Sequence, residues 1–384
     1  DNNANFRPIS TQIVDIDGDG VPEVIVYNKI YNAVTGALLV KMEDLGSTAN
    51  VGAISWGPDV RGDRGIGFSY AYDLDLDGKY DVAAGGKVYY DINTTTGTYK
   101  TQSIGGVADG RTGVADINGD GIPDVIVVDR TSDTKIIISV WDPGFLSLDS
   151  QGRVVKNVTP TPSRLIAQKI LTWNDNAWDQ GTHSYVYIGD IDGLEQEYNG
   201  KKYRLPEIAV LSGDIQYDSV KQHPNVIGKG IPTSGWSNTG TSYTGQYGVL
   251  GAFTFDPSDS ELKISFVLGH KDRSINTGFT MFDFDNDGMQ EICYRDEKSL
   301  RIIKASRPFV KDDSNDPNII LFNEPCSSFT GFEYPVIADV DNDASAEMIV
   351  IGQQNMVSDQ GWGYVYVVGN GSGDKFAPAL PVWN

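Results

Sequence analysis

Asp15-Ile16-Asp17-Gly18-Asp19-Gly20-Val21-Pro22-Glu23 is the stretch that decides how this chain is read. Three carboxylates alternate, Gly20 follows, and Glu23 closes the run four residues after Asp19. Alternating acids on a buried strand would repel one another and lose their hydration. Wrapped round a hard cation they make sense, because calcium takes about six to eight oxygen ligands in flexible geometry. Asp15, Asp17 and Asp19 are expected to offer side chains, Val21 its carbonyl and Glu23 the closing carboxylate. Gly20 permits the left-handed turn that folds the loop back. Val24-Ile25-Val26-Tyr27 follows at once and reads as a strand. No helix is signalled after it, which argues against an EF-hand.

The pattern recurs. Asp73, Asp75, Asp77, Gly78, Lys79 and Asp81 precede Val82-Ala83-Ala84. Asp116, Asn118, Asp120, Gly121, Ile122 and Asp124 precede Val125-Ile126-Val127-Val128. Asp283, Asp285, Asp287, Gly288, Met289 and Glu291 precede Ile292-Cys293-Tyr294. Asp339, Asp341, Asp343, Ser345 and Glu347 precede Met348-Ile349-Val350, with Ala344 where glycine is wanted. A degraded copy begins at Asp190-Ile191-Asp192-Gly193, is interrupted by an insertion and resumes at Pro206-Glu207-Ile208. Val21, Lys79, Ile122, Met289 and Ser345 hold the seventh position, where a backbone carbonyl ligand is expected. Acidic loops that each enter a β-type run are the signature of a repeat architecture.

These loops resemble the calcium-binding hairpins of FG-GAP/VCBS-type β-propellers, the repeat class that includes integrin α-subunit heads. The resemblance spans roughly Ile9 to Val368. In that class the loop joins the first two strands of a blade. The resemblance therefore implies an all-β propeller of four-stranded blades, about five calcium ions, and the acids above as ligands. Ala344 and the broken Asp190/Asp192 loop depart from the pattern.

The 384 residues are 40% hydrophobic and include 43 glycines, as suits a large core built from hairpins. Repeat proteins escape the usual relation of length to domain number, so one propeller domain over residues 1–384 is expected. The net charge is −22. Five calcium ions would bring it to about −12, so much of the acidity belongs to the loops. No basic patch stands out, which argues against nucleic acid. No run is long and apolar enough to span a membrane as a helix. The chain starts at Asp1 and ends at Pro381-Val382-Trp383-Asn384, and is read as a processed or truncated piece of a longer secreted or surface protein. Weak calcium sites fill where calcium is millimolar, so an extracellular, cell-surface or periplasmic setting is expected. Cys293 and Cys326 are read either as a disulfide or as two buried thiols.

Six blades are counted, and seven stays open. Unit one runs from Thr11 to Glu43 and unit two from Phe68 to Ser103. Unit three begins at Gly113, with Lys135–Trp141 its third strand and Val154-Val155-Lys156 its fourth. Thr159–Gly181 is read as a long connection. Unit four starts at Ser184–Ile188 and carries a second long insertion, Ser212–Gly245. Unit five runs from Gly278 to Leu300–Ala305, and unit six starts at Tyr334–Ala338.

No motif announces a catalyst. His183, His223 and His270 stand in no zinc or triad spacing, and no nucleophile elbow or phosphate-cradling glycine loop appears. Trp173, Trp178, Trp236 and Tyr243 in the long loops offer flat faces to sugar rings or anchors for a protein, against the alternative of packing over blade edges. Arg61-Gly62-Asp63 matches an integrin-ligand tripeptide and is read as coincidence. The expected function is a calcium-stabilised, monomeric binding or adhesion domain for a glycan or an extracellular protein. One alternative is a calcium-dependent polysaccharide lyase using Lys271, His270 or Arg273; another is a structural spacer.

Overall fold

The computed structural model describes residues 11–26, 29–42, 69–107, 109–132, 135–172, 186–198, 200–212, 248–270, 278–295, 299–304, 320–326, 334–352, 364–369 and 376–379. The chain forms two compact units, Asp1–Ile170 with Phe255–Leu262, and Leu171–Thr254 with Lys263–Asn384. The described residues contain strands and turns and no helix, so none is present that could cross a membrane.

Among the described residues, the first unit holds three four-stranded antiparallel sheets. The first is β1 (Thr11–Val14), β2 (Glu23–Val26), β3 (Lys29–Asn32) and β4 (Leu38–Lys41), in chain order. The second is β5 (Tyr70–Tyr72), β6 (Asp81–Ala84), β7 (Lys87–Asn93) and β8 (Thr98–Ser103), again in order. The third begins with β9 (Arg111–Ala115), β10 (Asp124–Ser132) and β11 (Lys135–Asp142). Next, β12 (Leu146–Leu148) and β13 (Val154–Lys156) pair only with each other, and β14 (Arg164–Thr172) completes the sheet beside β11.

The expectation that Val154–Lys156 is the fourth strand of the third sheet is therefore corrected. The sheet's outer strand lies instead in the stretch read as a connection. The reason is length. Lys135–Asp142 runs for 8 residues, and the 9-residue Arg164–Thr172 can pair along it. The 3-residue Val154–Lys156 closes a side hairpin against Leu146–Leu148.

In the second unit, β15 (Tyr187–Gly189) is followed by a hairpin of β16 (Glu195–Tyr198) and β17 (Lys201–Arg204). Then come β18 (Glu207–Ser212), β19 (Gly248–Asp256) and β20 (Glu261–His270), giving the sheet order β15-β18-β19-β20. The insertion seen in the sequence is thus the β16–β17 hairpin, and it leaves the flanking strands paired. The next sheet is β21 (Phe279–Phe282), β22 (Glu291–Arg295), β23 (Ser299–Ile303) and β24 (Ile320–Pro325). The strand β24 lies beyond Ala305, where the sequence reading of this unit stopped. Last comes a three-stranded sheet of β25 (Val336–Ala338), β26 (Glu347–Gly352) and β27 (Tyr364–Val368).

Each second strand follows an acidic loop and carries buried side chains into the core; Asp81–Ala84 and Glu291–Arg295 are buried throughout. Within each unit, consecutive sheets share a core. Ile16, Ile25, Ile30, Val40 and Met42 of the first sheet region pack with Val82, Ala84 and Tyr89 of the second. Leu74, Ala83 and Val88 pack with Val114, Val125, Val127 and Phe145. In the second unit, Ala209, Leu250 and Phe266 pack with Phe279, Ile292 and Tyr294, and Phe284, Cys293 and Ile302 pack with Met348 and Val350. Fully burying one such side chain stabilises by about 1.5–3 kcal/mol. The apolar second residue of five loops (Ile16, Leu74, Ile117, Ile191, Phe284) is buried, which bolts those loops into the core that the strands build, whereas Val340 of the last loop is 47% exposed. Cys293 and Cys326 are both buried and form no disulfide. Of the two readings of this pair, the disulfide is therefore set aside; burial also pushes the Cys293 thiol well above its usual range.

Candidate metal-binding loops

Five of the loops share one hydrogen-bond framework. The first-position carboxylate accepts the N–H groups of the fifth and sixth residues. In the first loop Asp15 Oδ1 accepts from Asp19 N at 3.0 Å and Oδ2 from Gly20 N at 2.8 Å. Asp73 does the same with Asp77 and Gly78 at 3.0 and 2.9 Å. Asp116 takes Asp120 and Gly121 at 3.1 and 2.8 Å. Asp283 takes Asp287 and Gly288 at 3.0 and 2.9 Å, and Asp339 takes Asp343 and Ala344 at 3.1 and 3.0 Å. The fifth-position carboxylate accepts the N–H of the seventh residue: Asp19 from Val21, Asp77 from Lys79, Asp120 from Ile122, Asp287 from Met289 and Asp343 from Ser345.

The closing carboxylate turns back onto the second residue. Glu23 accepts from Ile16 N at 3.0 Å, Asp81 from Leu74 at 3.0 Å, Asp124 from Ile117 at 3.0 Å, Glu291 from Phe284 at 2.7 Å and Glu347 from Val340 at 2.9 Å. Aspartate and glutamate thus serve equally at this position. The interrupted loop keeps the same closure, since Glu207 accepts from Ile191 N at 2.9 Å across the hairpin insertion. The backbone obeys one rule as well. Gly20, Gly78, Gly121 and Gly288 lie at φ +83 to +86°, and Ala344 adopts φ +65° in the same place. Ala344 therefore follows the turn despite its Cβ.

The carboxylates converge. One oxygen each of Asp15, Asp17 and Asp19 lie within 4.8 Å of one another. The same holds for Asp73, Asp75 and Asp81, for Asp190, Asp192 and Glu207, and for Asp283, Asp285 and Asp287. Asp75 and Asp77 also meet Asp91 of β7, an acid the loop spacing gave no reason to include. The closing groups are deeply buried: Glu23, Asp81, Asp124, Glu207, Glu291 and Glu347. Asp75 Oδ1, Asp124 Oδ1 and Glu291 Oε1 have no hydrogen-bond partner. A buried, unpartnered carboxylate oxygen among other acids is the donor set that a hard divalent cation satisfies. The residues present fit such an ion.

Electrostatics points the same way. Burial first, then the neighbouring Asp75, pushes Asp81 up to about 8. Burial and Asp192 push Glu207 up to about 8. Burial pushes Glu291 up to about 7 and raises Asp124 well above the usual carboxylate range, with Asp120, Asp116 and Asp142 adding to the rise. Glu23 and Asp116 are raised too, chiefly by burial.

Residues on or beside other strands reach into the loops, which the spacing of acids gave no means of finding. Thr94 donates its hydroxyl to Asp17, and Ser265 donates to Asp192 at 2.6 Å. Lys156 of β13 meets Asp75 at 2.6 Å and Asp77 at 3.3 Å. Arg204 of β17 pairs with Asp190 and donates to the Gly288 carbonyl at 2.6 Å. Lys304 pairs with Asp285 at 2.5 Å and with Asp287. Neighbouring loops are also tied by backbone: Tyr80 N donates to Ile16 O at 3.0 Å, and Gln290 N to Asp190 O at 2.8 Å.

Trp173, Trp178, Trp236 and Tyr243 lie outside the described residues, as do Arg61-Gly62-Asp63, Lys271, Arg273, His183 and His223. His270 ends β20.

No family model matches the chain, and no curated protein matches it. Among solved structures, the chain is similar to the crystal structure of the V. cholerae biofilm matrix protein Bap1, at 14% identity and a TM-score of 0.48, over 98% of this chain and 71% of that one. That likeness carries no assignment of function.

Proposed function

We propose that this chain is a calcium-stabilised, extracytoplasmic binding or adhesion domain, a single β-propeller of the FG-GAP/VCBS type whose blades are the sheets described above. The observation that carries the reading is the loop framework. In five loops a first-position aspartate, a left-handed turn and a buried closing carboxylate recur with the same hydrogen bonds. Asp15, Asp17, Asp19 and Glu23 would hold the first ion; Asp73, Asp75, Asp77 and Asp81 the second; Asp116, Asn118, Asp120 and Asp124 the third. Asp283, Asp285, Asp287 and Glu291, and Asp339, Asp341, Asp343 and Glu347, would hold two more. Asp190, Asp192 and Glu207 form a sixth candidate. The carbonyls of Val21, Lys79, Ile122, Met289 and Ser345 would complete the shells. Calcium supplies charge neutralisation and crosslinks the first two strands of each sheet.

A role in holding the scaffold, with recognition by surface loops, accounts for so many similar sites better than catalysis, which needs one distinct site. The partner would be a glycan or an extracellular protein. The test is binding to a glycan array and to extracellular-matrix proteins, in calcium and in chelator, alongside an assay for unsaturated products on uronate polysaccharides. Calcium-dependent binding without turnover supports the reading. Release of unsaturated sugars would replace it with the lyase.

A further inference from the structure

We infer that Lys304 is a built-in cation for the loop Asp283–Glu291, and that it makes this loop a weaker calcium site than its relatives. The inference rests on the calcium reading above and refines it. Its basis is strand register. Ile292 pairs with Ile303, so the next residue, Lys304, stands opposite the closing carboxylate Glu291. The same step in the other sheets places Asn32 opposite Glu23, Tyr90 opposite Asp81, Asp142 opposite Asp124, Thr254 opposite Glu207 and Gly369 opposite Glu347. Among the described sheets that follow an acidic loop, this one carries a cation at the position and the other five do not.

The ammonium uses that placement. Lys304 Nζ lies 2.5 Å from Asp285 Oδ2, bonds Asp287 Oδ2 as well, and stands 3.6 Å from Glu291 Oε1. Its side chain is only 13% exposed. Glu291 Oε1 is buried and has no hydrogen-bond partner, so the loop retains an unmet demand for positive charge at the point the ammonium approaches. An ion entering this loop must displace the lysine from three carboxylates and return it to water. Asp15, Asp17, Asp19, Asp116, Asp120 and Asp124 meet no basic side chain among the described residues, so calcium in the loops Asp15–Glu23 and Asp116–Asp124 faces no such competitor from them. Lys156 plays a looser version of the part at Asp75 and Asp77, from a side chain 46% exposed.

The test is calcium titration of the intact chain, read by native mass spectrometry and by competition with a calcium-sensitive dye. Lys304→Met keeps the aliphatic stem and removes the charge. It is expected to bind one more tight ion than the wild type, a gain of about tenfold or more in the affinity of one site. Adding Asp283→Asn to Lys304→Met should remove that ion and so locate it. Lys304→Gln, neutral and still able to hydrogen-bond, serves the same purpose where the methionine variant folds poorly. Ions on the wild type with no gain in either variant would overturn the role of Lys304 and leave the calcium reading intact. No ion on any of the proteins would overturn both.

Discussion

The backbone N–H of Ala377 donates to the carbonyl of Phe284 at 2.8 Å, and the carbonyl of Ala377 accepts from Ala346 N at 3.1 Å. Phe284 is the second residue of one acidic loop and Ala346 the eighth of the next. In the first unit the equivalent residues, Ile16 and Tyr80, bond directly at 3.0 Å. Ala377 is therefore a relay inserted into a link that other loops make for themselves. The Phe376 ring supports it, packing edge-on against Phe284 with centroids 5.1 Å apart, and Ser345 Oγ donates to Phe376 O at 3.3 Å.

Phe376→Ala should cost about 2 kcal/mol, the scale expected for truncating a half-buried aromatic with one edge-to-face partner. Ala377→Pro removes the donated N–H and should cost about 1 kcal/mol. Denaturant unfolding at fixed calcium checks both. Wild-type midpoints in the two variants would mean that the strap carries no stability.

Ala344→Gly should stabilise the protein by about 1 kcal/mol, because the left-handed conformation strains any Cβ and the four counterparts of Ala344 are glycines. Leu76 is a second case, at φ +56° in the fourth position of its loop, where Gly18 and Gly119 sit at +75° and +74°. Thermal melts of Ala344→Gly and Leu76→Gly test this. A lower midpoint in both would contradict it.

Much of this was legible in the sequence. The loop acids and the strands after them follow from spacing alone, because a residue two or four steps away along a tight turn is a spatial neighbour. The left-handed fourth position is legible too, since Gly18, Gly119, Asn286 and Asn342 all favour it. Lys304, Arg204 and Thr94 were not legible. They reach the loops through strand register and hairpin placement, which a single sequence does not encode locally. Val154–Lys156 misled because a short apolar run says nothing about which partner it pairs with. Arg164–Thr172 was hidden behind Pro160 and Pro162.

Without calcium the stability should fall as pH rises. Asp81 and Glu207 are raised to about 8 and Glu291 to about 7, against an unfolded value near ~4. The folded chain then binds more protons than the unfolded one between these limits. The contribution is fully present below about pH 4 and lost progressively toward pH 8. In chelator the melting midpoint should therefore be lower at pH 8 than at pH 5. In saturating calcium the trend should flatten or reverse, because the ion needs the ionised acids. A chelated midpoint that rises with pH would contradict the account.

Asp124→Asn separates the two roles of a closing carboxylate. The amide oxygen can still accept the Ile117 N–H that Asp124 accepts at 3.0 Å, while the negative charge is gone. In chelator the variant should match or exceed the wild type in stability. In calcium it should bind one ion fewer and lose the added stability, about 2.7 kcal/mol for one site at a hundredfold excess over Kd. Equal loss in both conditions would assign Asp124 a purely structural part.

The most direct test of the central claim is the number of bound calcium ions, measured together with the melting midpoint before and after chelation. The account predicts several ions per chain, the loops Asp15–Glu23 and Asp116–Asp124 filling first, and a large fall in the midpoint when calcium is removed. No bound calcium and an unchanged midpoint would contradict it, and the acidic loops would then be solvated turns held by their own backbone hydrogen bonds.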